Sequence, residues 1–84
     1  MLNPDEIEAQ LLAFLKREVF SAQLTVTADT DLIAAGFDSL SLVRLLLFIE
    51  KTFGLWIPES EITAETLHNV HTLAAAVGVL LHEQ

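Results

Sequence analysis

The sequence predicts an all-α bundle with one long connection. Three observations carry this reading. Apolar residues recur at helical spacing in three stretches, each stretch opens on a capping residue, and no strand pair, parallel-sheet rhythm or repeat is present. At 84 residues the chain suits one small domain, read as 1–84.

The first helix is signalled by Asn3 as N-cap, Pro4 at the first helical position and Glu6 three residues after the cap. Ile7, Leu11, Phe14, Leu15 and Val19 then share a face, and the helix should end near Phe20. Residues 21–38 form a long connection, with Leu24, Val26, Leu32, Ile33 and Phe37 available to pin it to a core. A structureless loop of that length is unusual in a compact domain, so Leu32–Ala35 is expected to form a short helical turn closed by Gly36.

The second helix should run from Ser39 to Phe53, with Asp38 as N-cap and Gly54 as the residue that ends it. Leu42, Leu45, Leu46, Ile49 and Phe53 make its inner stripe. Leu40, Val43 and Leu47 form a second apolar stripe that one buried face does not require. It is either a wider core contact or an exposed docking strip.

Beyond Gly54, Leu55 and Ile57 should point inward and Trp56 outward. Ile62–Leu67 reads as a short helix capped by Thr63. The last helix follows Asn69, with Val70, Leu73, Ala74, Val77 and Leu80 or Leu81 facing inward, and Gly78 permitting close packing. That makes three substantial helices and one short one.

Composition narrows the function. The formal charge is −8, from 12 acidic and 4 basic residues, which repels phosphate backbones and argues against nucleic-acid binding. The longest apolar run, Leu73 to Leu81, is too short to span a bilayer, and the start of the chain lacks the pattern of a signal peptide. A soluble cytoplasmic protein without membrane partners is expected. With no cysteine, disulfides, thiolate ligands and a thiol nucleophile are excluded. An apolar content of 52% leaves some apolar side chains for partners.

Little supports catalysis. His68 and His71 lie three apart, but no cysteine and no close carboxylate completes a metal set, so the histidines read as isolated surface residues. A Ser–His–Asp hydrolase is disfavoured, since no Gly-x-Ser-x-Gly elbow is present. Gly36, Gly54 and Gly78 make no phosphate-cradling pattern. No catalytic or metal-binding residue is assigned, and the chain reads as a protein without enzymatic activity of its own.

The stretch Gly36-Phe37-Asp38-Ser39-Leu40 holds the candidate site. Ser39 falls on the first turn of the second helix, where free N–H groups and the helix dipole favour an anion. A hydroxyl there suits a phosphate ester. On this stretch alone a plain helix cap is the simpler reading.

The wider pattern changes that balance. Asp29-Thr30-Asp31-Leu32-Ile33-Ala34-Ala35-Gly36 precedes the serine, and Phe53-Gly54-Leu55-Trp56-Ile57-Pro58 and Ile62-Thr63 follow it. Together these resemble the acyl and peptidyl carrier proteins over nearly the whole chain. The resemblance implies a four-helix carrier fold with a long first loop and a short third helix. It implies that Ser39 receives 4′-phosphopantetheine from coenzyme A through a phosphopantetheinyl transferase, with Asp38 positioning the serine. The arm's thiol would carry an acyl or aminoacyl group as a thioester. The implied partners are that transferase, an acyl- or aminoacyl-activating ligase, and a downstream synthase, oxidase or transferase. Leu40, Val43, Arg44, Leu47 and Ile62 become candidate docking residues on a monomer.

One departure matters. Fatty-acid-type carriers usually follow Asp-Ser-Leu with acidic residues, whereas this chain has Ser41 and Arg44, and Lys51 follows Glu50. Such charges select partners. They weigh against a fatty-acid synthase partner with a basic docking patch. The run Glu50-Lys51-Thr52-Phe53-Gly54 with Ile57-Pro58, and Glu61-Ile62-Thr63-Ala64-Glu65, resembles free-standing aminoacyl or peptidyl carriers, which implies a dedicated carrier in a specialised pathway of the nonribosomal peptide or polyketide kind. The alternatives are a fatty-acid-type carrier or an unmodified helical interaction module of the same fold.

Overall fold

The computed structural model describes residues 3–20 and 25–83. The expected anchor Leu24 lies outside them, as do Met1 and Leu2. Among the described residues there are three α-helices: α1 (Pro4–Phe14), α2 (Ser39–Phe53) and α3 (Val70–His82). No strand occurs among the described residues.

Each helix begins on the expected residue. Asn3 accepts a hydrogen bond from the Glu6 backbone N–H, and Pro4 takes the first turn, where its missing N–H costs nothing. Asp38 accepts from the Ser41 N–H. Asn69 and Thr72 form a reciprocal capping box. Glycine 54 ends α2 in a left-handed conformation (φ +66°), its N–H bonded to the Glu50 carbonyl at 2.9 Å.

The first helix reaches Phe20 by an unexpected route. After Phe14 the backbone widens into a π-helical turn over Leu15–Val19, closed by the Phe20 N–H on the Leu15 carbonyl at 2.9 Å. The turn leaves Leu15 and Phe20 both buried. Phe14 stacks on Phe48 of α2 with ring centroids 4.3 Å apart, and Phe48 meets Phe53 edge-on.

Leu11, Leu15, Leu32, Leu45, Ile49, Val70, Leu73 and Val77 form the centre of the core. Leu45, Leu46 and Ile49 of the expected α2 stripe are buried, while Leu42 and Phe53 are half-buried against the core. Leu55 and Ile57 are buried and Trp56 is exposed, as their alternation requires.

The long connection is ordered over its described part. Leu32 donates its N–H to the His68 carbonyl at 3.2 Å, and Val70 donates to the Ala28 carbonyl at 3.1 Å. These bonds tie the loop to the entry of α3. Val26, Leu32 and Phe37 are buried anchors. Ile33, expected among them, is 48% exposed because it sits on the outer side of the turn that Leu32 pins. That turn follows the expected course over Leu32–Ala35, with Asp31 accepting from the Ala34 N–H. Gly36 closes it at φ +112°, with Gly36 and Phe37 N–H groups bonded to the carbonyls of Ile33 and Leu32. This is the paired closure that ends many helices, and a residue with a side chain fits it poorly.

The short third helix is corrected. Ile62–Leu67 contains a single hydrogen-bonded turn, in which Thr63 Oγ1 accepts from the Thr66 N–H and the Thr63 carbonyl from Leu67. A separate 3₁₀ turn spans Glu59–Glu61. Thr63 caps as expected, but Asn69 turns extended before a second turn can repay nucleation. Among the described residues the architecture is thus three α-helices with short turns, a four-helix count not being reached.

Candidate functional site

Ser39 is the first residue of α2 and is exposed to solvent. Two devices place it. Gly36 turns the chain, and the buried Phe37 fixes it to the core. Asp38 then takes an extended backbone conformation and caps the helix with Oδ1, which accepts from both the backbone N–H and the hydroxyl of Ser41 at 2.9 Å. The two bonds from Ser41, the backbone N–H foremost, hold the Asp38 carboxyl below its ordinary value. Asp38 is therefore ionised at neutral pH beside Ser39.

The second apolar stripe of α2 is an exposed strip. Leu40 is 62%, Val43 53% and Leu47 52% exposed. It starts one residue after Ser39 and runs two turns along the helix. Of the other residues expected to face partners, Ile62 is only half-exposed and packs against the core. Arg44 is exposed, yet its Nη1 donates to the Glu18 carbonyl at 2.9 Å. It therefore caps the open end of the π turn, a favourable place for a cation. The 26-residue separation of this pair hid it from any local reading.

The reading of the histidines as isolated also changes. His71 Nδ1 lies 2.9 Å from Glu8 Oε1 and its Nε2 lies 3.0 Å from Asp29 Oδ1. The two carboxylates face opposite ring nitrogens, so they do not converge on one metal position. No grouping of three or more potential metal ligands suited to an ion occurs among the described residues. No described helix is long and apolar enough to cross a membrane.

A small helical domain with an exposed serine at a capped helix start, and an apolar strip beside it, has the form of a carrier that holds a prosthetic arm and offers it to other proteins. Residues 7–77 match the family described as phosphopantetheine attachment site, and the chain belongs to that family. It is similar to aminoacyl carrier protein 1 of Bradyrhizobium diazoefficiens, with 40% identity over 62% of this chain and 58% of that one. The chain thus spans a little over half the length of that relative. It is similar also to the D-alanyl carrier protein of Streptococcus suis, at 30% identity over 79% of this chain and 85% of the relative. Among solved structures, it resembles a chain in the crystal structure of Bradyrhizobium japonicum glycine:[carrier protein] ligase complexed with glycylated carrier protein. That match has a TM-score of 0.62 and 30% identity, covering 87% of this chain and 96% of the other. Both relatives are named as carrier proteins, and the matched family is described by its phosphopantetheine attachment site.

Proposed function

We propose that Ser39 is the attachment residue for 4′-phosphopantetheine and that the protein, a single carrier domain over 1–84, presents an amino acid or related acid to partner enzymes. The observation that carries this reading is the exposed Ser39 at the first position of α2, held by the Asp38 cap at the head of the Leu40–Val43–Leu47 strip. The residues fit such a group. A phosphodiester at this position gains from the positive end of the helix dipole, and the hydroxyl is open to an approaching transferase. When bound, the arm supplies a terminal thiol that holds the cargo as a thioester; the chain has no cysteine to compete with it. The chain's own residues orient rather than react: Asp38 fixes the serine's turn, and Leu40, Val43 and Leu47 give partners an apolar surface.

An amino acid cargo is supported by the names of the relatives, which include aminoacyl, D-alanyl and glycylated carriers. An aminoacyl-activating ligase is accordingly the loading partner, with a phosphopantetheinyl transferase before it and a synthase, oxidase or transferase after it, in a specialised cytoplasmic pathway. Ser41 and Arg44 at the start of α2 weigh against fatty-acid-type partners that dock through cations.

Intact mass after incubation with coenzyme A and a broad-specificity transferase tests the reading. A pantetheine-sized gain in the wild type, absent from Ser39→Ala, is expected. No gain in folded wild type points instead to an unmodified interaction module, and a gain that survives Ser39→Ala moves the site elsewhere.

A further inference from the structure

Three of the chain's four Lys and Arg residues meet at one place. Arg17 on the π turn and Arg44 and Lys51 on α2 line a shallow depression of about 360 Å³, with Phe14, Leu47 and Phe48 as its apolar walls. Glu18 is the one acidic residue there, so three cations face one carboxylate. That carboxylate pairs with Arg17 at 3.3 Å, both side chains being half-exposed or more. Such a pair is weak and opens readily. Arg44 and Lys51 form no ion pair among the described residues. The Arg44 guanidinium is nevertheless fixed in place by the Glu18 carbonyl at 2.9 Å, so little of its freedom remains to be lost on binding. On a chain of net charge −8 this local excess of positive charge stands against the general field.

The depression is continuous with the exposed strip. Leu47 belongs to both, and α2 carries the surface from Lys51 back to Ser39 over 12 residues, about 18 Å at 1.5 Å per residue. One partner face can therefore cover the cations, the strip and the arm's point of origin together.

We propose that this depression receives carboxylate side chains of the aminoacyl-activating ligase that loads the arm. The proposal rests on the carrier reading above and adds the chemistry of the ligase's docking face: acidic groups spaced to meet Arg17, Arg44 and Lys51, around an apolar contact for Leu47. Arginine in particular pairs with carboxylates through two parallel hydrogen bonds, which adds geometric selection to charge. The same face repels a partner that docks by cations.

The test uses the holo-protein, with conversion of every variant checked by intact mass, so that failure of wild type to convert sinks the carrier reading separately. Glycine:[carrier protein] ligase of Bradyrhizobium japonicum serves as the probe, with ATP and glycine, and formation of the glycyl thioester is followed at rising salt. For Arg17→Glu/Lys51→Glu, which leaves the Arg44–Glu18 contact in place, kcat/KM at low salt should fall by about tenfold or more, with kcat at saturation little changed. The gap from wild type should shrink as salt screens the charges. Arg44→Glu should add to the loss, and its thermal melt separates docking from any loosening of the π turn. Equal loading of wild type and Arg17→Glu/Lys51→Glu overturns the proposal, as does a defect independent of salt or no loading of holo wild type.

Discussion

His71 Nδ1 lies 2.9 Å from Glu8 Oε1, joining α3 to α1 at the surface of the bundle. The other ring nitrogen meets Asp29 Oδ1 at 3.0 Å and so reaches the long connection as well. A neutral imidazole donates from one nitrogen only, whereas the imidazolium satisfies both carboxylates. The hydrogen bond with Glu8 is the largest cause that raises the His71 pKa above 6.5, with Asp29 adding to it. The folded value thus exceeds the unfolded one. The stabilisation is fully present below 6.5 and is lost as pH rises through the raised folded value. Thermal melts should show the wild type losing Tm over that window, and His71→Gln should lack this step. Equal pH profiles for the two proteins would exclude the clamp. Because the groups are exposed, the step should also shrink in high salt.

Local signals and long-range ones divided cleanly in this chain. Asn3, Asp38 and Asn69 announce their helices because a cap acts within three residues, and Gly36 and Gly54 announce their ends for the same reason. The exposed, capped setting of Ser39 at the head of α2 was legible because it is made of such neighbours. The Arg44–Glu18 and His71–Glu8 contacts were not, since each joins residues far apart that only the packed bundle brings together. The π turn at Leu15–Val19 has no marker in its residue types; it follows from burying both Leu15 and Phe20. The missing third helix is a competition between two local signals, Thr63 and Asn69 lying too close for a full helix between them.

Gly36→Ala should destabilise the fold by about 1–3 kcal/mol, the usual cost of holding a side-chain-bearing residue in a sparsely allowed conformation. Beyond its two chain neighbours no atom lies within 4 Å of a Cβ built there, so the cost is backbone strain at φ +112° and not a clash. Gly54→Asn, at φ +66° in the left-handed helical region, should cost much less, since asparagine tolerates that region. Chemical denaturation of the two variants checks the ranking. Because Gly36 leads the chain into Ser39, its substitution should slow pantetheine attachment as well.

Asp38→Asn separates the cap from the charge. Asparagine caps about as well as aspartate, so α2 and the melting temperature near neutral pH should be preserved. Asp38→Ala should lower it, because the Ser41 N–H loses its acceptor. The lowered Asp38 pKa means that its contribution is present above 3.8 and lost as pH falls through the folded value. That acid-side loss should vanish in Asp38→Asn. If the carboxylate's charge also helps a transferase engage Ser39, attachment should slow in Asp38→Asn despite an intact helix.

Gly78→Ala should stabilise the protein. Gly78 lies inside α3, where glycine costs about 0.5–1 kcal/mol relative to alanine. An added Cβ would meet Ile7 Cδ1 at 3.8 Å, an ordinary van der Waals contact, and no positive φ opposes the change. The gain should therefore approach the full helix-propensity difference, raising Tm by about 4–8 °C per kcal/mol for a domain of this size. Gly78 also lines an apolar groove with Pro4, Ile7, Phe53 and Leu81, so the added methyl has room. Thermal melts of the variant beside wild type check the gain. A fall in Tm for Gly78→Ala would mean that the helices pack more tightly at this seam than the 3.8 Å separation allows.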